Sequence, residues 1–279
     1  MSKTRDALDL ARDLRQGFND DDAPKGRKIQ DMSLRRRPPR KNLGEEWIAN
    51  LHFLRTTATE DPDSRVILGE GRDERAVSAY KMLRTRTLAR MRQNNWHTIG
   101  VTSPVQGDGK SLTSVNLALS LAKEQTLSVI LAEFDLRRSS ICQHFGVDPV
   151  RGLPDFLEGK AKLESVLFRP DGTKRIAILP NTEIYENSSE TLSSPRLADL
   201  IEQLRGDDKG RIVVCDLPPY LVTDDVLAFT PLVDAFLIVV NEGSTPRDVL
   251  KKGLDIMRDM PILGVVLNRS NEATSGYYY

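Results

Sequence analysis

SPVQGDGKSLTSVNLALSLA, residues 103–122, sets a glycine-bearing loop directly before a run of helical apolar periodicity, and the apolar segment TIGVT precedes it at 98–102. The loop therefore joins a strand to a helix. Such a loop exposes successive backbone N–H groups that no intrahelical carbonyl can accept, and the helix dipole adds positive potential at the same point. That concavity suits a triphosphate. Gly107 and Gly109 let the main chain approach the phosphates, Lys110 reaches the outer ones, and the Ser111 hydroxyl is placed to ligate Mg²⁺. Asp108 and Leu112 complete the predicted nucleotide-binding stretch. Pro104 stands where the G-x-x-x-x-G-K-[ST] pattern has its first glycine. The strand before and the helix after supply the context that distinguishes a phosphate cradle from an ordinary turn.

Outward from the loop, short apolar runs alternate with helical stretches. HTIGVTS, LSVILAEF, RIAILPN, RIVVCD, AFLIVVN and ILGVVLN read as strands. Helices are predicted over 110–123, 190–205 and 245–258, with a short one near LPDFLEG. Ahead of the first strand, Ala76, Ala79, Tyr80 and Leu83 recur at the spacing of one helical face. Near-continuous apolar strands separated by amphipathic helices indicate a mostly parallel, doubly wound α/β sheet covered on both faces. The predicted fold class is that of a P-loop NTPase.

The flanks differ in composition. Residues 1–70 are rich in charge, proline and aspartate, with scattered apolar anchors such as Trp47, Leu51 and Phe53, and are read as a disordered arm. SLRRRPPRKN at 33–42 gathers positive charge there, beside an earlier NDDDAP. Residues 71–270 form the expected folded domain, and 271–279 a polar tail ending in Tyr277, Tyr278 and Tyr279, half of the six tyrosines in the chain. Ten polar residues ending there could reach roughly 33 Å when extended.

Lysine plus arginine and aspartate plus glutamate both number 40, so the overall field argues neither for a nucleic-acid partner nor for an acidic substrate, and no nucleic-acid partner is expected. Cys142 and Cys215, the only cysteines, have no metal-ligand spacing and fit a reducing cytosol. No apolar run approaches the roughly 20 residues needed to cross a bilayer, and no export signal is legible at the N-terminus, so a soluble cytoplasmic chain is expected.

Two more strand ends carry acidic residues. RIVVCD delivers Asp216 at its C-terminal edge, where a carboxylate can hold magnesium directly or through water. VILAEFD brings Glu133 and Asp135 two residues apart, on one side of an extended chain. Carboxylates aimed at a phosphate site repel one another unless a cation lies between them, so the pair suggests metal or proton-transfer chemistry.

SPVQGDGKS, VILAEFDLRR and IVVCDLPPYLVTDD, in that order, resemble the Walker A, Walker A′ and Walker B motifs of the bacterial tyrosine kinases (BY-kinases). The resemblance covers about residues 72–279. It implies ATP-dependent phosphorylation of tyrosine, commonly on the C-terminal cluster of a neighbouring subunit, in control of polysaccharide polymerisation and export. Lys110 and Ser111 would bind phosphate and Mg²⁺, Asp135 and Asp216 would complete the metal shell, and Glu133 would be the base for the tyrosine hydroxyl. Asn268 would sit by the adenine. Tyr277, Tyr278 and Tyr279 would be the acceptors. The implied partners are a membrane-embedded polysaccharide co-polymerase, which activates the enzyme and brings it to the membrane, and further copies of the chain.

This sequence departs from the family at three places. Glu133 replaces an aspartate, SAYKMLR offers Ser78, Lys81 and Arg84 where an E-x-x-R-x-x-R pattern assembles rings, and lysine lacks the planar fork of arginine. Weakened catalysis and weakened assembly are the corresponding expectations. A positioning ATPase of the MinD/ParA kind would carry a further lysine at the place of Val105.

Overall fold

The computed structural model describes residues 48, 51, 53–54, 63–67, 73–185, 188–206 and 210–270. Six parallel strands form the main sheet: β2 (Thr98–Thr102), β3 (Ser128–Glu133), β5 (Ile176–Leu179), β6 (Arg211–Asp216), β7 (Ala235–Asn241) and β8 (Ile262–Asn268), in the spatial order β5-β3-β6-β2-β7-β8. A two-stranded parallel pair, β1 (Phe53–Leu54) with β4 (Arg169–Pro170), lies outside it. Every residue of β2, β3, β5, β6 and β7 is buried. That explains why these segments read as unbroken apolar runs rather than alternating ones.

Successive side chains of the strands enter two cores on opposite faces. Ile130, Ala132, Val213, Cys215, Phe236 and Ile238 pack on one side with α7 (Pro195–Arg205) and α8 (Asp225–Phe229). Val129, Leu131, Ile212, Val214, Leu237 and Val239 pack on the other with α1 (Glu74–Asn94) and α2 (Lys110–Leu121). The period of two along each strand puts alternate residues in each core.

Helix ends follow local chemistry. Asp73 caps α1 by accepting from the Arg75 N–H, and Asn95 ends it in the left-handed region with φ 55°. α7 buries Leu197, Leu200, Ile201 and Leu204, the i, i+3, i+4, i+7 stripe of an amphipathic helix. The predicted helix 190–205 is two helices, α6 (Ser188–Leu192) and α7. Pro195 has no N–H to donate and holds Ser194 extended, and the Ser194 hydroxyl then caps the new helix by accepting from Leu197 N. α3 (Ile141–Phe145), α4 (Leu153–Leu157) and α5 (Leu163–Val166) cover the β3–β5 crossover, and α9 (Arg247–Ile256) joins β7 to β8. Of the three crossover helices, only α4, near LPDFLEG, was legible; α3, α5 and also α8 are too short for periodicity to reveal.

Within the stretch 1–70, read from sequence as a disordered arm, a few residues are described and several of them are buried. Ile48 and Leu51 are buried in the first core, and Val66 and Ile67 in the second. The Asn116 side chain on α2 accepts from Ile67 N (2.9 Å) and donates to Arg65 O (3.0 Å). His144 Nδ1 lies 2.9 Å from Asp63 Oδ2. A few apolar anchors meet grooves that the domain already provides, and an average over seventy polar residues hides them. The basic stretch 33–42 and the tyrosine tail 271–279 lie outside the described residues. Among the described residues no helix is long and apolar enough to cross a membrane.

Candidate functional site

In open parallel sheets the binding crevice forms at the carboxyl ends of the strands, where the chain changes direction across the sheet. Here the turning point is β2, flanked by β6 on one side and β7 on the other. The 103–109 loop leaves this central strand and enters α2. Gly107 and Gly109 hold φ near 92° and 91°, a left-handed region that L residues adopt at a cost. A Cβ on Gly107 would meet nothing within 4 Å, so the main chain lies bare there. A Cβ on Gly109 would fall 2.1 Å from Asn268 Nδ2, so that position excludes a side chain on two grounds.

The loop is held from both flanks. On the β6 side, Tyr220 N and Leu221 N donate to Ser103 O and Pro104 O. On the other side, Thr245 Oγ donates to Asp108 Oδ1 (2.7 Å), and Asn268 Nδ2 donates to Asp108 O (2.8 Å). Burial pushes the Asp108 carboxyl upward against the lowering effect of the Thr245 hydroxyl.

Lys110 and Ser111 at the start of α2 meet Asp135, just past β3, and Asp216, at the end of β6. Lys110 Nζ lies 2.6 Å from Asp135 Oδ2, 3.7 Å from Asp216 Oδ2 and 3.1 Å from Ser111 Oγ. Burial disfavours the ammonium, but Asp216 and Asp135 outweigh burial and raise Lys110 above its ordinary value. Asp216 is fully buried, and burial raises its carboxyl against the pull of Lys110. The Ser114 hydroxyl lies 3.0 Å from both Asp216 Oδ1 and Lys110 O and shares its one proton between them.

The structure places Glu133 among donors of its own chain. It is the register partner of Asp216 at the ends of β3 and β6 and is fully buried. Its carboxylate accepts from Ser139 Oγ, Ser140 N, Ile141 N and Asn181 N. It therefore anchors the entrance of α3 and the turn after β5. Burial lifts it to about 7 against the backbone N–H groups of Ser140 and Ile141. β3 ends at Glu133, and Phe134 N bonds to Asp216 O as the last rung of its ladder with β6.

Asn268 is likewise committed within the chain. Its Oδ1 accepts from Arg269 N (2.9 Å) while its Nδ2 holds Asp108 O. This differs from a side chain free to read adenine. Leu112 lies in the first turn of α2 and packs against the second core, offering its main chain alone to a ligand.

These donors fit a magnesium nucleotide. Two carboxylates, Asp135 and Asp216, share one ammonium, and Asp216 Oδ2 is buried without a hydrogen-bond partner. A hydroxyl and two carboxylates form a hard-oxygen set of the size magnesium takes when phosphates complete its shell. Among the described residues no three Asp, Glu, His or Cys side chains form a ready metal cage. Ser111, Asp135 and Asp216 are the residues that would hold Mg²⁺, with phosphates on the Gly107–Ser111 main chain and Lys110.

Residues 94–275 match the family described as ParA, NUBPL iron-transfer P-loop NTPase. The crystal structure of the VpsO kinase domain is 30% identical and aligns with TM-score 0.62 over 71% of this chain and 97% of that one. This chain belongs to the bacterial tyrosine-kinase family of P-loop NTPases. Tyrosine-protein kinase CpsD of Streptococcus agalactiae is 27% identical over 182 residues, covering 64% of this chain and 78% of CpsD. The succinoglycan biosynthesis transport protein ExoP of Rhizobium meliloti is 31% identical over 188 residues, which are 64% of this chain and 23% of ExoP. The chain spans about a quarter of the length of the longer relatives it matches.

For a BY-kinase, sequence reading brought Lys110, Ser111, Asp135 and Asp216 to one place and missed their supports. Ser114 was findable, because it sits one helical turn from Lys110 and Ser111. Thr245 and Asn181 were not, since each reaches the site from a distant loop with no motif of its own. In the helix that the family uses for ring assembly, Arg84 pairs with Glu124 (3.1 Å) and donates to Ser120 O within the same chain.

Proposed function

We propose that this chain is an ATP-dependent protein-tyrosine autokinase that phosphorylates Tyr277, Tyr278 and Tyr279 and thereby regulates exopolysaccharide polymerisation and export. The observation that carries the reading is the Lys110 ammonium held between Asp135 and Asp216 beneath a glycine loop with a bare main chain. Bound Mg-ATP would supply the transferable phosphoryl group and the cationic charge between the two aspartates. Lys110 would offset the negative charge that spreads over the phosphoryl oxygens during transfer. Asp216, fully buried and supported by Ser114, keeps its position through that step. Asp135 would serve both as a Mg²⁺ ligand and, through its other oxygen, as the acceptor of the tyrosine proton. Glu133 holds the loop that carries Asp135.

The partner in this reading is a membrane-embedded polysaccharide co-polymerase whose cytoplasmic segment activates the kinase and places it at the inner face of the membrane. Further copies of the chain serve as acceptors. The test incubates the full chain with ATP and Mg²⁺ and measures the mass of the C-terminal peptide. One to three added phosphates, abolished by Lys110→Met, are expected. An unmodified tail, even with a co-polymerase cytoplasmic segment present, rejects the kinase reading.

A second reading is favoured by the engagement of Glu133 with four donors. The chain is then a nucleotide-gated scaffold in which ATP orders a partner surface. Magnesium-dependent ATP binding and partner capture without phosphate transfer would select it.

A further inference from the structure

We propose that Thr245 and Asn268 are positioning residues that latch the phosphate loop in its binding form, and that Asn268 acts on the loop rather than on the base of the nucleotide. The proposal rests on the nucleotide-site reading above and assigns the two side chains a role within it.

β7 and β8 end side by side, with Asn241 and Asn268 as register partners. The turn after β7 is closed by Thr245 N donating to Asn241 O and by Asn241 N donating to Thr245 Oγ. That leaves the Thr245 hydroxyl proton for Asp108 Oδ1, at 2.7 Å. From β8, Asn268 Nδ2 reaches the main-chain carbonyl of the same residue, at 2.8 Å. One residue of the phosphate loop is thus gripped by side chain and main chain from two different strand ends.

The grip constrains the neighbouring backbone. Asp108 lies between Gly107 and Gly109, both held at positive φ, the conformation that turns their N–H groups into the concavity. Asn268 approaches so closely that only glycine fits at 109. Arg269 also sits in the left-handed region, at φ 57°, with its N–H bonded to Asn268 Oδ1, so the amide is oriented by an unusual backbone just behind it. With a donor on one side and an acceptor on the other, the orientation of the Asn268 amide is determined. Asp108 is almost completely buried and its Oδ2 has no hydrogen-bond partner, so the Thr245 proton is the one side-chain donor to this carboxylate among the described residues.

A base reader and a loop latch make different demands. Loss of a base reader weakens ATP and leaves a base-free triphosphate untouched. Loss of a latch weakens both alike and loosens the loop even without a ligand.

The test uses the full chain and its Thr245→Val, Thr245→Ser and Asn268→Ala variants. Amide hydrogen exchange over residues 104–109 is measured without nucleotide, and affinities for Mg-ATP and for inorganic tripolyphosphate with Mg²⁺ are measured separately. Exchange is expected to rise about tenfold in Thr245→Val and Asn268→Ala, corresponding to ~1.4 kcal/mol. Both affinities should fall by one common factor of similar size, with Thr245→Ser retaining wild-type values. Thr245 lies on a partly exposed turn, and the serine variant keeps the hydroxyl, so a folding defect would be seen as loss in both threonine variants and would overturn the latch. Unchanged loop exchange in Thr245→Val and Asn268→Ala also overturns it, as does an Asn268→Ala defect confined to ATP. A wild-type chain that binds neither ligand removes the nucleotide reading, while the exchange measurement still decides the latch.

Discussion

Lys110 Nζ and Asp135 Oδ2 stand 2.6 Å apart, so in the absence of ligand the phosphate-binding ammonium neutralises the strand-end acids. The arrangement lets one lysine serve two states. It pairs with Asp135 and the buried Asp216 here, and in the proposed mechanism it would reach phosphate once a cation took its place.

Replacing Lys110 by methionine should therefore destabilise the nucleotide-free chain as well as stop phosphate transfer. A buried carboxylate left without its counter-charge costs about 3 kcal/mol or more. Urea midpoints should fall at neutral pH and recover on acidification, because burial favours the protonated form of Asp216. Asp216→Asn in the same background should restore much of the loss. Equal midpoints for wild type and Lys110→Met at pH 7 would contradict this.

The two loop glycines should respond unequally. Gly107→Ala meets open space and carries only the strain of its positive φ, about 1 kcal/mol. Gly109→Ala carries that strain and also displaces Asn268, so its unfolding free energy should drop further. Asn268→Ala should relieve part of the Gly109→Ala defect and none of the Gly107→Ala defect. Three urea titrations settle the order.

Glu133 predicts a pH dependence of stability. Its value in the folded chain, about 7, lies above the ordinary 4.5, so the folded state takes up a proton in that window. Its contribution is complete below about 4.5 and is lost as pH rises to about 7. Glu133→Gln should flatten this part of the stability profile. Parallel melting curves for the two proteins from pH 4.5 to 7 would be incompatible with the burial of this group.

Asn116 ties the docked segment 63–67 to the helix that follows the phosphate loop. Asn116→Ala removes two hydrogen bonds and strands the buried Ile67 N–H, a loss of about 1–3 kcal/mol. Proteolysis of the native chain should shift toward residues 63–67, with the sheet itself still protected. A cleavage pattern like that of the wild type would show that the segment is held without the Asn116 bonds.

Tyr220 and Gly253 should give opposite signs. A Cβ on Gly253 would come within 2.5–2.9 Å of the Tyr220 ring and hydroxyl, so Gly253→Ala overpacks the contact by about 1–3 kcal/mol. The buried Tyr220 hydroxyl has no hydrogen-bond partner among the described residues. Tyr220→Phe should be neutral or stabilising by thermal melting, and should soften the Gly253→Ala defect.

The order of strands, the phosphate loop and the acids at the ends of β3 and β6 were legible because each is local. A strand buried on both faces reads as an apolar run wherever it lies in the chain, and a strand–glycine–lysine–helix sequence leaves little choice of backbone. The break between α6 and α7 was legible in principle too, since Ser194–Pro195 carries both a cap and a helix stop. Docking of residues 63–67 was not legible, because it depends on contacts with Asn116 of α2 and His144 of α3 and on single anchors diluted among charges.

Sequence alone determined the parallel α/β class and which residue types could meet a magnesium nucleotide, since backbone periodicity and side-chain chemistry act over a few positions. Tertiary structure decided their assignments. It turned Glu133 toward the N–H groups of Ser140, Ile141 and Asn181, it set Asn268 against Asp108, and it brought Thr245 across 137 positions to the same residue. Direction and distance between side chains on different strands follow from sheet register and loop closure, which involve the whole chain at once.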